Sequence, residues 1–128
     1  MSRPVVYLRT SEYPEGRFLP QRDARVGVTD RGFVLADGIY EVIRSYGGRL
    51  FRFDEHTARL QRNLDAVRIT GIAIEEIGLH AREILVRNGL ASGDAMVYIQ
   101  VTRGEAPRSH AFPYPLPAPT IYITVSAV

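Results

Sequence analysis

The sequence predicts one α+β domain, built from a small antiparallel or mixed sheet and two helices that lie together in the middle of the chain. Strand-like segments with period-two alternation occur before and after a central stretch, and that stretch carries two segments with helical periodicity. Helices grouped in this way, instead of alternating one by one with strands, favour α+β over a doubly wound sheet. The length of 128 residues and the 45% hydrophobic content suit a single domain with a substantial core.

The N-terminal part of the chain predicts a short pair of strands followed by a long connector. Residues 4–9 and 17–20 are strand-like and flank a turn at Pro14-Glu15-Gly16. Residues 21–38 are rich in Asp, Arg and Gly and repeat with neither the helical nor the strand period. Loops of this length and polarity are often functional, so the connector is a candidate functional segment.

Residues 39–53 carry the clearest hairpin pattern. The segments IYEVIRSY and RLFRF flank Gly47-Gly48, a two-residue loop suited to the positive φ angles of type I′ or II′ turns. Asp54 is the predicted N-cap of the helix that follows. Glu55 lies in the first turn of that helix, where an acid interacts favourably with the helix dipole.

Two helices are predicted next. The first ends by Gly71, and the second runs from about 74 to 88 and stops at Asn88-Gly89. Their inward residues are Leu60, Leu64 and Val67 in the first helix and Ile77, Ile84 and Leu85 in the second.

Residues 95–103 and 120–127 are the two remaining strands, each with one apolar face and one more polar face. The link between them, residues 104–119, contains Pro113, Pro115, Pro117 and Pro119, which enforce an extended path.

Composition excludes several functional classes. The chain has no cysteine, which removes disulfides, thiolate nucleophiles and cysteine-ligated zinc. Its net charge is +2 and its arginines are scattered, so no nucleic-acid-binding stripe is predicted. No apolar run approaches the roughly 20 residues of a membrane helix. The N-terminal residues show no signal-peptide pattern, so we expect a cytoplasmic protein.

All 16 basic residues are arginines, and the chain has no lysine. This usage is also typical of a GC-rich genome, but it has chemical consequences. Guanidinium groups bind anions through a planar fork of donors, yet they stay protonated and do not form imines. The only primary amine is the α-amino group of Met1. The chain therefore suits the binding of an anionic cofactor or substrate, without a lysine side chain for amine chemistry.

Two residues near the hairpin are candidate ligand-binding groups. Arg59 lies one position from the buried stripe of the first helix, where it either pairs with Glu55 at i−4 or binds a phosphate through two N–H groups. Tyr40 begins the hairpin strand. It is either a core or cross-strand aromatic, or a phenol that points into a site and donates a hydrogen bond to an anion.

Arg108 and His110 lie two apart in the extended link, so their side chains project to the same side. They are either two solvated surface residues or a trap for a carboxylate. His56 and His80 have no third ligand nearby in sequence, and no metal site is predicted.

Two blocks of this sequence together resemble one family. DRGFVLADGIYEVIRSYGGRLFRFDEHTARL at 30–60 resembles the N-terminal region of class IV, fold-type IV, pyridoxal-phosphate aminotransferases. VYIQVTRGEAPRSHAFP at 97–113 resembles the D-amino acid aminotransferase branch of that family. Branched-chain aminotransferases and aminodeoxychorismate lyases, which are the alternatives within the family, carry other sequences at Arg108-Ser109-His110. The resemblance covers nearly the whole chain and implies that residues 1–128 form the small N-terminal domain of such an enzyme.

The resemblance implies a role for each matching position. Arg59 matches the arginine that binds the phosphate of pyridoxal 5′-phosphate, and Tyr40 matches the tyrosine that helps to hold the substrate α-carboxylate. Arg108 and His110 match a pair that reaches across a homodimer interface to complete that carboxylate trap. Arg31 matches a recurrent family arginine and receives no catalytic role. The implied substrates are a D-amino acid and a 2-oxo acid.

The resemblance also implies what lies outside this sequence. The family's Schiff-base lysine, and the acid that pairs with the pyridine nitrogen, belong to a C-terminal cofactor domain that residues 1–128 do not include. We therefore assign no catalytic residue and expect no transaminase turnover from the chain alone. The alternative is a truncated, non-catalytic module that binds anions or pairs with a partner chain. A domain built to pack against a missing half should expose an apolar patch.

Overall fold

The two C-terminal strands, in which apolar and more polar residues alternate, lie at the centre of the sheet. The computed structural model describes residues 4–128, so the Met1 α-amino group lies outside the described residues. The strands pair antiparallel throughout, in the order β2-β1-β6-β5-β3-β4. Their bounds are β1 Val5–Arg9, β2 Arg17–Pro20, β3 Gly38–Tyr46, β4 Arg49–Leu50, β5 Ala95–Thr102 and β6 Thr120–Ala127. The predicted α+β fold is confirmed, with an antiparallel sheet.

β5 lies in the interior of the sheet and pairs along its whole length with β3 and β6. Ile99 lies opposite Glu41 on β3 and opposite Ile123 on β6. The odd-numbered residues of 95–101 are buried, and the even-numbered residues of 96–100 lie on the more open face. The alternation predicted for this strand is therefore confirmed.

Two long helices cover one face of the sheet. They are α2 (Phe53–Val67) and α3 (Ile74–Arg87), and they follow the short helix α1 (Arg31–Leu35). The stripes predicted from helical spacing are confirmed, since all six residues contribute to the main core. A fully buried aliphatic side chain stabilises the fold by roughly 1.5–3 kcal/mol relative to exposure. The core residues from the sheet include Ile43, Val97, Ile99 and Ile123.

The opposite face of the sheet is covered only in part. Val6, Leu8 and Leu19 form a smaller cluster there, against which Ala24 of the connector packs. The rest of this surface is exposed or half-buried, and we call it the open face. It is formed by Tyr40, Met96, Tyr98, Gln100 and Tyr122.

The predicted hairpin is confirmed, but its second strand is shorter than expected. Gly47 and Gly48 have φ angles of 58° and 87°, as a type I′ turn requires. β4 ends at Leu50, and Arg52 turns the chain sharply with a φ of 52°.

The predicted N-cap at Asp54 is wrong. The N-cap position of α2 is Arg52, which provides no side-chain cap, and Asp54 lies within the first turn. The helix starts early because Phe53 packs against α3. A Cβ at Gly78 would lie 2.6 Å from the Phe53 ring, so the glycine permits this close contact.

The connector at 21–38 is more ordered than its sequence predicts. It contains a 3-10 turn at Gln21–Asp23 as well as α1, and its last residue begins β3. Asp30 caps α1 because its Oδ1 accepts a hydrogen bond from the amide of Gly32 at 2.8 Å. Helical periodicity did not predict α1, because five residues are too few to produce a periodic signal.

The proline-bearing link at 104–119 contains no helix or named strand, and it bends at several residues between 107 and 115, so the predicted extended path is not continuous. Within residues 4–128, no helix has both the length and the apolar character needed to cross a membrane.

Candidate functional site

A buried carboxylate on β3 holds Arg59 in place. Glu41 lies at an inward-facing position, and only 2% of its side chain is exposed. Nε and Nη2 of Arg59 donate hydrogen bonds to its two carboxylate oxygens at 2.8 and 2.9 Å. His56 Nδ1 lies 2.8 Å from Oε1 of the same carboxylate. Because His56 and Arg59 are three residues apart on α2, they share the helix face that meets β3.

These contacts determine the charge state of the site. Burial alone would raise the pKa of Glu41, but hydrogen bonds from Arg59 and His56 outweigh burial and hold that pKa below its ordinary value. In return, Glu41 raises the pKa of Arg59. Two parallel hydrogen bonds orient the guanidinium, and they leave its remaining N–H groups free to bind an anion.

Arg59 opens onto a shallow cleft of about 380 Å³. Its side chain is 55% exposed even though its anchor is buried. Arg52 and Arg62 also line the cleft, and the one acid there, Glu55, forms an ion pair with Arg52 at 2.8 Å. The cleft is therefore net positive and presents a fixed fork of donors, which suits a phosphate group.

The pairing of Arg59 with Glu55, which the helical spacing allowed, does not occur. Glu55 contacts Arg52, and Arg59 contacts Glu41. Sequence reasoning missed Glu41, although a signal was present. Residues 39, 41 and 43 share one face of β3, so an acid at 41 lies between two inward apolar residues. A buried acid at such a position requires a cationic or hydrogen-bonding partner.

Tyr40 lies on the other side of the sheet from Glu41, because successive strand residues point to opposite faces. It is 62% exposed, and its ring lies parallel to that of Tyr98, with centroids 6.0 Å apart and an interplanar angle of 10°. It also lines a cleft of about 440 Å³ together with Gln100 and Tyr122. Tyr40 is thus both a cross-strand aromatic and a phenol that faces a cleft.

Arg108 and His110 are exposed on the link. Neither side chain forms a hydrogen bond or an ion pair with any part of residues 4–128. Within one chain, neither side chain is joined to Tyr40 or Arg59 by a hydrogen bond or an ion pair. Their predicted role across a subunit interface stays a prediction.

Arg31, to which the sequence assigned no role, is buried and joins two segments. Its Nε donates to Oδ2 of Asp37 at 2.7 Å, and its Nη1 donates to the carbonyl of Ser109 at 2.7 Å. It therefore connects α1 to the link that carries Arg108 and His110.

The histidines on the helices have structural contacts. His56 binds Glu41, and His80 stacks on Tyr7 with ring centroids 4.0 Å apart. Burial lowers the pKa of His80, and nearby Glu76 partly offsets that effect. In the part of the chain that the structure describes, no three His, Asp or Glu side chains are grouped so as to hold a metal ion.

Residues 38–128 match the amino-transferase class IV family. The D-alanine aminotransferase of Staphylococcus haemolyticus is 42% identical over 113 residues, which cover 88% of this chain and 39% of that protein. The D-alanine aminotransferase of Bacillus licheniformis is 39% identical over 98 residues, which cover 76% of this chain and 34% of that protein. The chain thus spans well under half the length of these curated relatives.

Solved structures share the fold. The branched-chain amino acid aminotransferase of Escherichia coli superposes with a TM-score of 0.84 at 19% identity, over 99% of this chain and 42% of that one. The branched-chain aminotransferase of the archaeon Thermoproteus uzoniensis, solved with norvaline, superposes with a TM-score of 0.81 at 21% identity, over 98% of this chain and 41% of that one.

Proposed function

This chain belongs to the amino-transferase class IV family, and we propose that it is the small N-terminal domain of a pyridoxal-phosphate-dependent transaminase. The proposed reaction moves an amino group between a D-amino acid and a 2-oxo acid. The observation that carries the proposal is Arg59, which buried Glu41 fixes at the edge of an arginine-lined cleft. The similarity to curated D-alanine aminotransferases supports the D-amino acid branch.

The residues around Arg59 fit the phosphate of that cofactor. A guanidinium already held by two hydrogen bonds binds an anion with little further loss of side-chain freedom. Arg52 and Arg62 add positive charge in the same cleft. When bound, pyridoxal 5′-phosphate supplies the aldehyde and the electron-withdrawing ring on which transamination depends.

We assign the substrate carboxylate to Tyr40, Arg108 and His110. Tyr40 lines the cleft on the open face, where its phenol can donate a hydrogen bond to a carboxylate. Arg108 and His110 are exposed, so their side chains are accessible to the site of a second subunit in a homodimer. Glu41 and Tyr40 are neighbours that point to opposite faces of β3, so the phosphate and carboxylate contacts lie on either side of one strand.

In the proposed reaction, this chain binds and orients the cofactor phosphate and the substrate carboxylate. It provides no base for the proton transfer. Moving a proton between the substrate Cα and the cofactor carbon requires such a base. The proposal places the base and the cofactor lysine in the C-terminal domain, so residues 1–128 alone should show no turnover.

The proposal is tested by purifying the complete enzyme and measuring the visible absorbance of bound cofactor. Turnover of D-alanine and of L-alanine is then compared, each with 2-oxoglutarate as acceptor. We expect cofactor absorbance and faster turnover of D-alanine. Faster turnover of L-alanine, or of L-branched-chain substrates, would exclude the D-amino acid branch. Phosphate binding without absorbance or turnover would favour the non-catalytic anion-binding module instead.

A further inference from the structure

We infer that Arg31, Asp37 and Arg103 form a buried clamp that positions the part of the link carrying Arg108 and His110. The inference rests on the function proposed above for that pair. It adds three positioning residues that contact neither substrate nor cofactor themselves.

The centre of the clamp is the carboxylate of Asp37. Its Oδ2 accepts hydrogen bonds from Nε of Arg31 and from Nε of Arg103, both at 2.7 Å. Its Oδ1 accepts a further hydrogen bond from Nη2 of Arg103 at 3.2 Å. The two arginine side chains are only 3% and 4% exposed. Two buried guanidinium groups are therefore held to one acid, which fixes both side chains.

Arg31 uses its remaining donors to hold the link. Nη1 donates to the carbonyl of Ser109 at 2.7 Å and makes a longer contact to the carbonyl of Ala111 at 3.4 Å. These carbonyls flank His110, so the backbone is held on both sides of that residue. Arg108 directly precedes the first of them.

Arg103 holds the next residue of the link and also the end of a helix. Its guanidinium carbon lies 4.0 Å from the centroid of the Phe112 ring. Its Nη2 and Nη1 donate to the carbonyls of Val67 and Arg68 at 2.7 and 3.1 Å, where α2 ends. A cation at this position also interacts favourably with the helix dipole. The clamp thus joins the link to the helix that carries Arg59.

The link needs such support because it contains no regular secondary structure. It contains five prolines, and most of residues 107–118 are exposed. Binding a carboxylate with two side chains requires that their backbone be held in the correct position before the substrate arrives. The charge balance agrees with this role, since two guanidinium groups and one carboxylate leave a net positive charge beneath the link.

The first test measures backbone motion in the 128-residue chain. NMR order parameters are compared between the wild type, Arg31→Lys and a control, Asp23→Asn, which removes an exposed acid whose ion pair spans 3.9 Å. Lysine keeps the charge but loses the fork that reaches Asp37 and the link together. We expect the order parameters of residues 109–112 to fall from about 0.85 to below about 0.6 in Arg31→Lys, with β5 and β6 unchanged.

The order parameters of the Asp23→Asn control should match those of the wild type at every residue. Order parameters that stay high in Arg31→Lys, or that are already low in the wild type, would overturn the clamp. If Arg31→Lys does not fold, Phe112→Ala tests the same attachment from the Arg103 side, because it removes the ring beneath that guanidinium. It should lower the order parameters of the same residues.

The second test uses the complete enzyme. We expect Arg31→Lys to raise KM for D-alanine by roughly 10- to 100-fold, because a misplaced Arg108 loses charged hydrogen bonds to the substrate carboxylate. The Kd for pyridoxal 5′-phosphate and kcat at saturating D-alanine should change far less. Equal losses in cofactor and substrate binding would indicate a general structural role and overturn the inference. If the wild type itself has no turnover, the proposed function fails, whereas the order parameters still decide on the clamp.

Discussion

Single residues set the chemistry of the candidate site, and Glu41 shows how. Its carboxylate is buried in the sheet, yet it determines where the Arg59 guanidinium points. An arginine on a helix surface normally samples many rotamers, and a bidentate contact to a fixed acid removes most of that freedom. The site therefore depends on a residue that need not contact the ligand.

Stability should depend on pH through Glu41. Its folded-state pKa lies below the ordinary value of 4.5, so its contribution is fully present above that value and is lost as the pH falls through the lower folded pKa. At about pH 7, we expect the free energy of unfolding of the wild type to exceed that of Glu41→Gln. This difference should shrink below about pH 4.5. Urea unfolding of both proteins between about pH 3 and pH 7 measures this difference. A difference that stays constant down to about pH 3 would contradict the assignment.

Substitutions of Arg59 and of Arg108 should change different constants, the cofactor affinity in one case and the KM for D-alanine in the other. We expect Arg59→Met to weaken pyridoxal 5′-phosphate binding by at least about tenfold, with a smaller change in KM for D-alanine, because a charged hydrogen bond is lost at the phosphate. Arg108→Met should do the opposite. Fluorescence titration of the cofactor and steady-state kinetics measure the two effects in the complete enzyme.

Arg87→Met provides the control for this pair, because Arg87 lies on α3 in an exposed ion pair with Glu83 and should change neither constant. If Arg59→Met raises KM while leaving the cofactor affinity intact, the roles of Arg59 and Arg108 are interchanged.

Among the elements, β5 has one face in the core and the other on the open face. Its odd-numbered residues join the core beneath α2 and α3, and Met96, Tyr98 and Gln100 contribute to the open face. Period-two spacing predicted this division correctly. It did not predict α1, a five-residue helix that Asp30 caps. It also did not predict the early start of α2, which follows a one-residue turn at Arg52 without a side-chain cap.

Two substitutions on β5 should therefore differ greatly in how much stability they cost. Ile99 is fully buried, and we expect Ile99→Ala to cost about 2–5 kcal/mol of stability, since it leaves a cavity in the core. Met96 is 40% exposed on the opposite face, and Met96→Ala should cost less than about 1 kcal/mol. Chemical denaturation of the 128-residue chain measures both. Equal costs would mean that the open face is packed in solution.

The domain taken as a whole is asymmetric. The helices cover one face of the sheet, whereas the open face displays tyrosines, and the exposed Phe33 of α1 lines the same cleft there as Tyr40 and Tyr122. This agrees with the expectation that a domain built to pack against further structure exposes an apolar patch. The three positively charged side chains around the Arg59 cleft lie outside that patch, on α2 and the turn before it.

The exposed surface should make the isolated chain self-associate. We expect sedimentation velocity to show an average mass that rises with concentration, because burial of apolar area favours association. Phe33→Asp should reduce the association without lowering the Tm. Leu79→Asp is the matched control, since Leu79 is 65% exposed on α3, against 75% for Phe33. An equal reduction by both variants would show that net charge, not the open face, controls association.

The amino-acid sequence was sufficient to predict the fold class, the two long helices and the paired C-terminal strands. Those features depend on periodicity, capping and short motifs, all of which act over a few residues. The folded chain was needed to show that Arg59 binds Glu41, 18 positions away, and that Arg31 holds Ser109, 78 positions away. Such contacts depend on strand register and on how helices pack, because buried charges select their partners in space and not along the chain.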